Sequence, residues 1–323
     1  MRGLLSKSTN PAFNLAAEEY LLKSVREDIF FLYINKPCIV VGKHQNTLAE
    51  IDYNFTTRNS IPAFRRLSGG GTVYHDLGNL NFCFITNEEK GNLVNFDKHS
   101  LPIVKALKNL GLSVSIGKRH DLSVNGKKIT GTASHVFKNR AMHHGTLLFN
   151  TDLTVLNRCF SSDTQKFEGK AVKSIRSTVT NISEHLTQQL TTEEFTSHIF
   201  NFLLAFFPDA QTFRFSNIEN EIITNLVKEK YSIWKWNYGY SPVYELSENI
   251  EVENIQFSSK LKVEKGLIKS VSLSCSDSKY QKSLDLLSHN LVGVKHEKKL
   301  ILSHLETTGI KILSKQLIYL FFS

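Results

Sequence analysis

Arg65-Arg66-Leu67-Ser68-Gly69-Gly70-Gly71-Thr72-Val73-Tyr74-His75-Asp76-Leu77-Gly78-Asn79 is the stretch on which the reading of this 323-residue chain turns. Three consecutive glycines between strand-like segments let the backbone approach a ligand closely and turn N–H groups toward an anion. Two arginines at its entry add fixed positive charge and planar donors suited to carboxylate or phosphate. A glycine run alone is more often a tight turn, His75 alone a structural ring, and Asp76 and Asn79 turn formers. With Arg-Arg before it and His-Asp-x-Gly-Asn after it, the run reads as an anion-binding loop.

Outward from this loop, Ala63–Arg66, Thr72–His75 and Leu80–Thr86 read as strands. Upstream, Asn10-Pro11 marks an N-cap and first helical position, with Phe13, Ala17, Tyr20 and Leu21 on one apolar face. Ile29–Ile34 and Cys38–Val41 flank Asn35-Lys36-Pro37 as strand, turn and strand. Downstream, the spacing of Ile103, Val104, Leu107 and Leu110 predicts a helix over Phe96–Leu110. Leu112–Ile116 and Leu122–Val124 follow as strands, then an Asn125-Gly126 hairpin signal. Lys127–Val136 and His143–Asn150 complete a strand-rich middle. Strands and helices mix without regular alternation, which predicts an α+β fold with a mainly antiparallel sheet.

Ser161–Lys173 is polar and reads as a mobile loop. Helical period returns over Thr192–Phe207 and Ile218–Lys230. Trp234–Gly239, ending in Ser241-Pro242, suggests a domain edge, so the expected domains are residues 1–242 and 245–323. In the second, strand-like Ile255–Lys262 and Leu267–Leu273 precede helical Gln281–Leu291 and Lys298–Leu305, a small α+β domain.

Hydrophobic residues make up 41% of the chain, a globular rather than disordered composition. The longest membrane candidate, Ile310–Phe322, is short and carries Lys311 and Lys315, so no spanning segment is expected. The helix signature so close to Met1 leaves no expected room for a signal or transit peptide. Cys38, Cys83, Cys159 and Cys275 lie far apart, with no metal-ligand spacing, and read as free thiols of a cytoplasmic protein. The net charge of +9 is spread along the chain, so it predicts an acidic partner without naming one.

Two further stretches carry chemistry. Lys128-Ile129-Thr130-Gly131-Thr132-Ala133 places a lysine on a strand that soon reaches glycine, able to direct its ammonium into a cleft. Without context, Lys128 is a solvated charge beside Lys127. Downstream, His143-His144-Gly145-Thr146-Leu147-Leu148 holds adjacent histidines, which face opposite sides of a strand and so do not form a metal pair. Lys170–Asn181 joins the polar loop to a Ser/Thr-rich run suited to closing over a nucleotide.

In this order and spacing, the three stretches resemble the lipoate–protein ligase family. Asn14-Leu15-Ala16-Ala17-Glu18-Glu19, Val41-Gly42-Lys43-His44-Gln45-Asn46 and Trp234–Gly239 add to the match, which covers residues 1 to about 242. Lys43 stands where the family usually has arginine, and His135 follows Gly131-Thr132-Ala133-Ser134 where residues vary. The resemblance implies a biotin/lipoate-ligase-like α+β domain with flanking helices and a C-terminal accessory domain. It implies an enzyme that uses ATP and Mg²⁺ to convert lipoate, or octanoate, to an acyl-adenylate. The acyl group then passes to a lysine of an acidic apo lipoyl domain. Such acceptors are the E2 subunits of 2-oxoacid dehydrogenases and the glycine-cleavage H protein.

The same resemblance assigns Lys128 an electrostatic role at the acyl carbonyl and phosphate. Arg66, Ser68, Gly69, Gly70 and Gly71, with His144, fall to lipoate and phosphate. Val73, Tyr74, His75 and Asn79 fall to the adenylate pocket, and Lys170–Arg176, through Lys173 and Arg176, to a loop ordering over it. Asp121 falls to Mg²⁺. No tightly bound prosthetic group, nucleic acid or membrane is implied, and a monomer is expected. One rival is an octanoyl or lipoyl transferase of the same fold that forms a thioester, for which Cys159 is the candidate. Another is an enzyme that accepts only preformed lipoyl-adenylate. A basic nucleic-acid-binding module leaves the glycine loop and Lys128 unexplained.

Overall fold

The run Ile29-Phe30-Phe31-Leu32-Tyr33-Ile34 has no polar face, the pattern of a strand covered on both sides. It lies inside a six-stranded sheet. The computed structural model describes residues 1–88, 93–117, 120–161, 166–308, 310 and 313–322. The sheet order is Thr132–Phe137, Arg140–Leu148, Asn79–Asn87, Ile29–Ile34, Arg2–Leu5, Gln211–Thr212. The first three pairings are antiparallel and the last two parallel.

Phe30 and Leu32, two residues apart and so on one face, join Phe82 and Phe84 in the core. There they meet Ile103 and Leu107 of the helix Phe96–Asn109, and Phe195, Ile199 and Leu203 of the helix Thr192–Phe206. Each such side chain contributes about 1.5–3 kcal/mol when fully buried. The N-terminal helix Pro11–Ser24 packs against the same sheet. The Asn10 side chain accepts from the N–H groups of Ala12 and Phe13, and Pro11 sits where a missing N–H costs nothing. This helix buries three polar residues, Asn14, Glu18 and Glu19, among its alanines and leucines.

Two three-stranded sheets belong to the same part of the chain. One has Cys38–Val41 between Ala63–Arg65 and Val73–His75. The other is a meander of Val114–Ile116, Leu122–Val124 and Lys127–Lys128. Asn125 and Gly126 turn it with φ of 50° and 74°, the backbone that the sequence signal demands.

By compactness the chain forms two units: residues 1–43, 62–157 and 174–232, and residues 44–61, 158–173 and 233–323. The second is built on a four-stranded antiparallel sheet of Phe167–Gly169, Tyr244–Val252, Ile255–Glu264 and Leu267–Cys275. In Ile255–Glu264, Phe257, Leu261 and Val263 face the core while Lys260 and Lys262 face solvent. The helices Gln281–Leu291 and Lys298–Glu306 contribute Leu284, Leu287, Leu291 and Ile301 to that core. Among the described residues no helix is long and apolar enough to cross a membrane.

The α+β class with antiparallel-rich sheets is as read from the sequence; several local readings are corrected. A strand, Arg2–Leu5, precedes the first helix, formed through parallel pairing with Ile29–Leu32. Ile29–Ile34 and Cys38–Val41 are strands but not a hairpin, because Asn35–Pro37 carries the chain from one sheet to another. Lys127–Val136 is broken at Ile129–Gly131, where Ile129 and Thr130 turn inward. Ser161–Lys173 contains the strand Phe167–Gly169, its Phe167 buried in the second core, while residues 162–165 lie outside the described ones. The compact units also differ from a division at 242–245. The C-terminal sheet recruits Phe167–Gly169 as an edge strand, and Leu48 and Ala49 join its core.

Candidate active site

Gly70 adopts φ of +85°, a left-handed conformation that L side chains rarely take, and its neighbours form an open turn. The turn is pinned from inside by Arg66, which is only 6% exposed. Its Nε donates to Ser68 Oγ at 2.9 Å and its Nη1 to the Val40 carbonyl at 3.0 Å. Its Nη2 donates to the carbonyls of Gly69 and Gly71 at 2.6 and 2.7 Å. Burial holds the guanidinium down to about 10, against the opposing pull of Glu18 and Tyr33, so it stays charged at neutral pH. In a planar trans peptide the N–H points opposite to the preceding carbonyl. Hence the N–H groups of Gly70 and Thr72 point away from Arg66, and the loop turns donors outward. That of Thr72 donates to Ser174 Oγ at 2.8 Å.

Ser68, fully buried, continues the network: its Oγ lies 2.6 Å from His144 Nε2. His144 Nδ1 lies 3.0 and 2.9 Å from the two carboxylate oxygens of Glu18. Tyr33 donates its hydroxyl to Glu18 as well, at 3.0 Å. Burial, reinforced by Glu18, pushes the Tyr33 phenol and the Cys83 thiol well up.

A second chain from the N-terminal helix reaches His75. Asn14 Nδ2 donates to Asn35 Oδ1 at 2.8 Å, and Asn35 Nδ2 lies 3.0 Å from His75 Nδ1. With its oxygen occupied, Asn35 presents an N–H to the ring, so His75 carries its proton on Nε2. That atom is buried with no hydrogen-bond partner among the described residues. Burial, with Arg66 and His144 adding to it, pushes the ring down to about 3, so His75 is neutral. Asn79, fully buried, donates to Asn81 Oδ1 at 3.0 Å and leaves its own Oδ1 unpartnered within the same set of residues. Gly78 fits directly beneath the Asn150 backbone: a Cβ there would lie 1.9 Å from the Asn150 carbonyl oxygen. Asp76 accepts from the N–H groups of Gly78 and Asp152, and is the turn former that the sequence suggested.

Lys128 ends a short strand rather than entering a long one. Its N–H donates to the Thr178 carbonyl at 3.0 Å, and its own carbonyl accepts from Thr180 at 3.1 Å. Residues 174–180 therefore run from the glycine loop, through Ser174, to Lys128. The glycine loop, Lys128 and residues 174–180, far apart in the chain, meet in one unit, while residues 170–173 of the third stretch fall in the other. Arg176 is exposed on this run, and Lys173 is exposed in the segment assigned to the other unit. Asp121 is half-buried beside Gly117; its neighbours Lys118 and Arg119 lie outside the described residues. Among the described residues no group of three His, Cys, Asp or Glu side chains is gathered as for a metal. His143 faces away from His144 and stacks on His99 at 3.9 Å, a packed ring.

The sequence reading missed Glu18, Asn35 and Ser174. Glu18 offered one signal, a carboxylate set among the alanines and leucines of its helix; Asn35 and Ser174 had the composition of ordinary turn and loop residues.

The comparisons with known proteins agree with this geometry. The lipoyl protein ligase A/B catalytic domain model matches residues 10–203. Lipoate-protein ligase LplJ of Bacillus subtilis (strain 168) is 37% identical over 306 residues, 94% of this chain and 92% of its own. A crystal structure of lipoate-protein ligase A bound with ATP superposes with a TM-score of 0.61 at 25% identity, covering 74% of this chain and 98% of that one. The bipartite lipoate protein ligase of Thermoplasma acidophilum, studied with its E2 lipoyl domain, gives 0.62 at 25% identity over 74% and 96%. With a glycine loop braced by Arg66, residues 174–180 linking that loop to the strand of Lys128, and a family match over more than half its length, the chain belongs to the lipoyl protein ligase A/B family.

Proposed function

We infer that this protein is an ATP-dependent lipoate–protein ligase that makes lipoyl-AMP and transfers the lipoyl group to a lysine of an apo lipoyl domain. The convergence of the glycine loop, Lys128 and residues 174–180 in one unit is the observation that carries the reading. In the first step the lipoate carboxylate attacks the α-phosphorus of ATP and pyrophosphate leaves. In the second the acceptor amine attacks the acyl carbonyl and AMP leaves. The first step brings two anions together, the second develops negative charge on the acyl oxygen and the departing AMP, and preorganised donors and cations offset both.

The loop of Gly69, Gly70 and Gly71, with the Gly70 N–H turned outward, would receive the phosphate and carboxylate, with Lys128 as the cation between them. Arg66, whose donors are spent on the loop itself, would act from beneath as its brace, with Ser68 and His144. Val73, Tyr74, His75 and Asn79 would line the adenylate pocket. His75, neutral and protonated on Nε2, can only donate there, and the Asn79 oxygen can only accept. Lys173 and Arg176 would add charge over the phosphates. Mg²⁺ is held mainly by substrate phosphates with one or two carboxylates, and Asp121 would be one such ligand. The function of residues 1–242 as catalytic and 245–323 as accessory, and action as a cytoplasmic monomer, belong to the same proposal.

The transferase alternative needs an accessible thiolate. Cys38, Cys83 and Cys159 are buried, and Cys275 is half-buried. Lipoate-dependent exchange of labelled pyrophosphate into ATP tests the first step alone. Exchange is expected in wild type and in Cys159→Ser alike; loss of activity on Cys159→Ser, with an acyl-thioester trapped on wild type without ATP, would establish the transferase.

A further inference from the structure

Among the described residues, no carboxylate bonds to the buried guanidinium of Arg66. Its donor bonds end on neutral acceptors: the Ser68 hydroxyl and the carbonyls of Val40, Gly69 and Gly71. The nearest anion in its network is Glu18, 1% exposed on the N-terminal helix and joined to it by two side chains. The order of donors follows from what each atom can do. Arg66 Nε can only donate, so Ser68 Oγ accepts from it and has one proton to give. The Glu18 carboxylate can only accept, so His144 Nδ1 is protonated. His144 Nε2 is then the acceptor for the Ser68 proton. The relay has a single direction, from Arg66 to Ser68 to His144 to Glu18, and all four side chains are buried.

We propose that Glu18 is a positioning residue: by holding His144 as the Nδ1–H tautomer it aims the Ser68 hydroxyl, fixes Arg66, and sets the glycine loop for adenylate formation. Charge reinforces the geometry, since Glu18 supplies the counter-charge that lets Arg66 remain ionised while buried. Without the carboxylate, His144 is free to carry its proton on Nε2. Ser68 then receives two donors, and its bond with Arg66 competes with one to the ring. Arg66 Nη2 holds the Gly69 and Gly71 carbonyls, so its displacement moves the loop donors. A displacement of about 1 Å at such a site can cost about 10²-fold in rate. Neither Glu18 nor Tyr33 needs to touch substrate for this. The kinetic consequence rests on the ligase reading above; the tautomer does not.

Two measurements test it separately. Nitrogen-15 spectra of the ligand-free protein, with His144 assigned by its loss in His144→Gln, should show His144 protonated on Nδ1; protonation on Nε2 overturns the relay. The second is a double-mutant cycle of Glu18→Gln and Ser68→Ala, read as the rate of lipoyl-adenylate formation by proteins verified as folded by circular dichroism. Each single change should slow the step tenfold to about a hundredfold, and the double variant should be no slower than the slower single one. Multiplying effects, or a folded Glu18→Gln enzyme keeping more than half the rate, would overturn it. If the variants do not fold, the wild-type tautomer still decides. If wild type makes no adenylate while the tautomer is as stated, the ligase reading fails and the relay stands.

Discussion

Replacing Lys128 by alanine removes the cation proposed to follow charge through both half-reactions. Its backbone is fixed by Thr178 and Thr180 independently of the side chain, so the strand should persist. Loss of one preorganised electrostatic group typically costs about 10²–10³ in rate. Adenylation and transfer by Lys128→Ala should both fall by that much at unchanged melting temperature, and retention of more than half the wild-type rate would remove Lys128 from the mechanism. At this scale Lys128, read alone, is a solvated charge beside Lys127, and only the resemblance singles it out. The sequence was opaque for Arg66. An arginine beside a glycine loop reads as a ligand-binding cation, whereas here its donors close back on the loop. Only the three-dimensional path of the carbonyls reveals that.

Among the elements, the segment from Val73 to Asn79 depends on a backbone contact that no side chain can share. A Cβ on Gly78 would overlap the Asn150 carbonyl, and the N–H groups of Phe149 and Asn150 both donate to the Gly78 carbonyl. Relief requires separating the two segments, so Gly78→Ala should destabilise the protein by more than about 2 kcal/mol, within the usual range for overpacking. Urea denaturation would measure this; an unchanged midpoint would contradict the close approach. Strands and helices with strong local patterns, such as Ile29–Ile34 and Gln281–Leu291, were readable with their boundaries. Arg2–Leu5 and Phe167–Gly169 were not, because each is too short to show a period and exists through pairing with a distant strand. The break after Lys128 was likewise hidden, since Ile129 and Thr130 suit a strand and turn inward for tertiary reasons.

For the whole molecule, buried histidines set the response to acid. Burial pushes His75 and His143 down to about 3 and His296 to about 4 from an ordinary 6.5. Unfolding restores the higher affinity, so below pH 6.5 the unfolded chain binds more protons than the folded one. Stability should therefore fall as pH drops from 6.5 toward 3, by several kcal/mol in order of magnitude. Asp76, held up by burial, works in the opposite direction but is a single group. The urea midpoint should be lower at pH 5 than at pH 7; an equal or higher midpoint would contradict the neutral buried rings. The net charge of +9 bears on recognition rather than stability. If the acceptor is an acidic lipoyl domain, long-range attraction speeds encounter and is screened with a Debye length of about 8 Å at physiological ionic strength. Transfer should slow as NaCl rises while adenylation responds less, and a flat transfer rate would remove surface charge from recognition.

On the proposed reading, one chain spends ATP to join lipoate to a protein lysine. The most direct test of that reading is the intact mass of an apo lipoyl domain after incubation with the pure protein, lipoate and Mg-ATP, alongside reactions lacking each component. A single lipoyl addition on the acceptor lysine, with pyrophosphate released, is expected only in the complete mixture. A mass shift that persists without ATP, or none in the complete mixture, would contradict that reading.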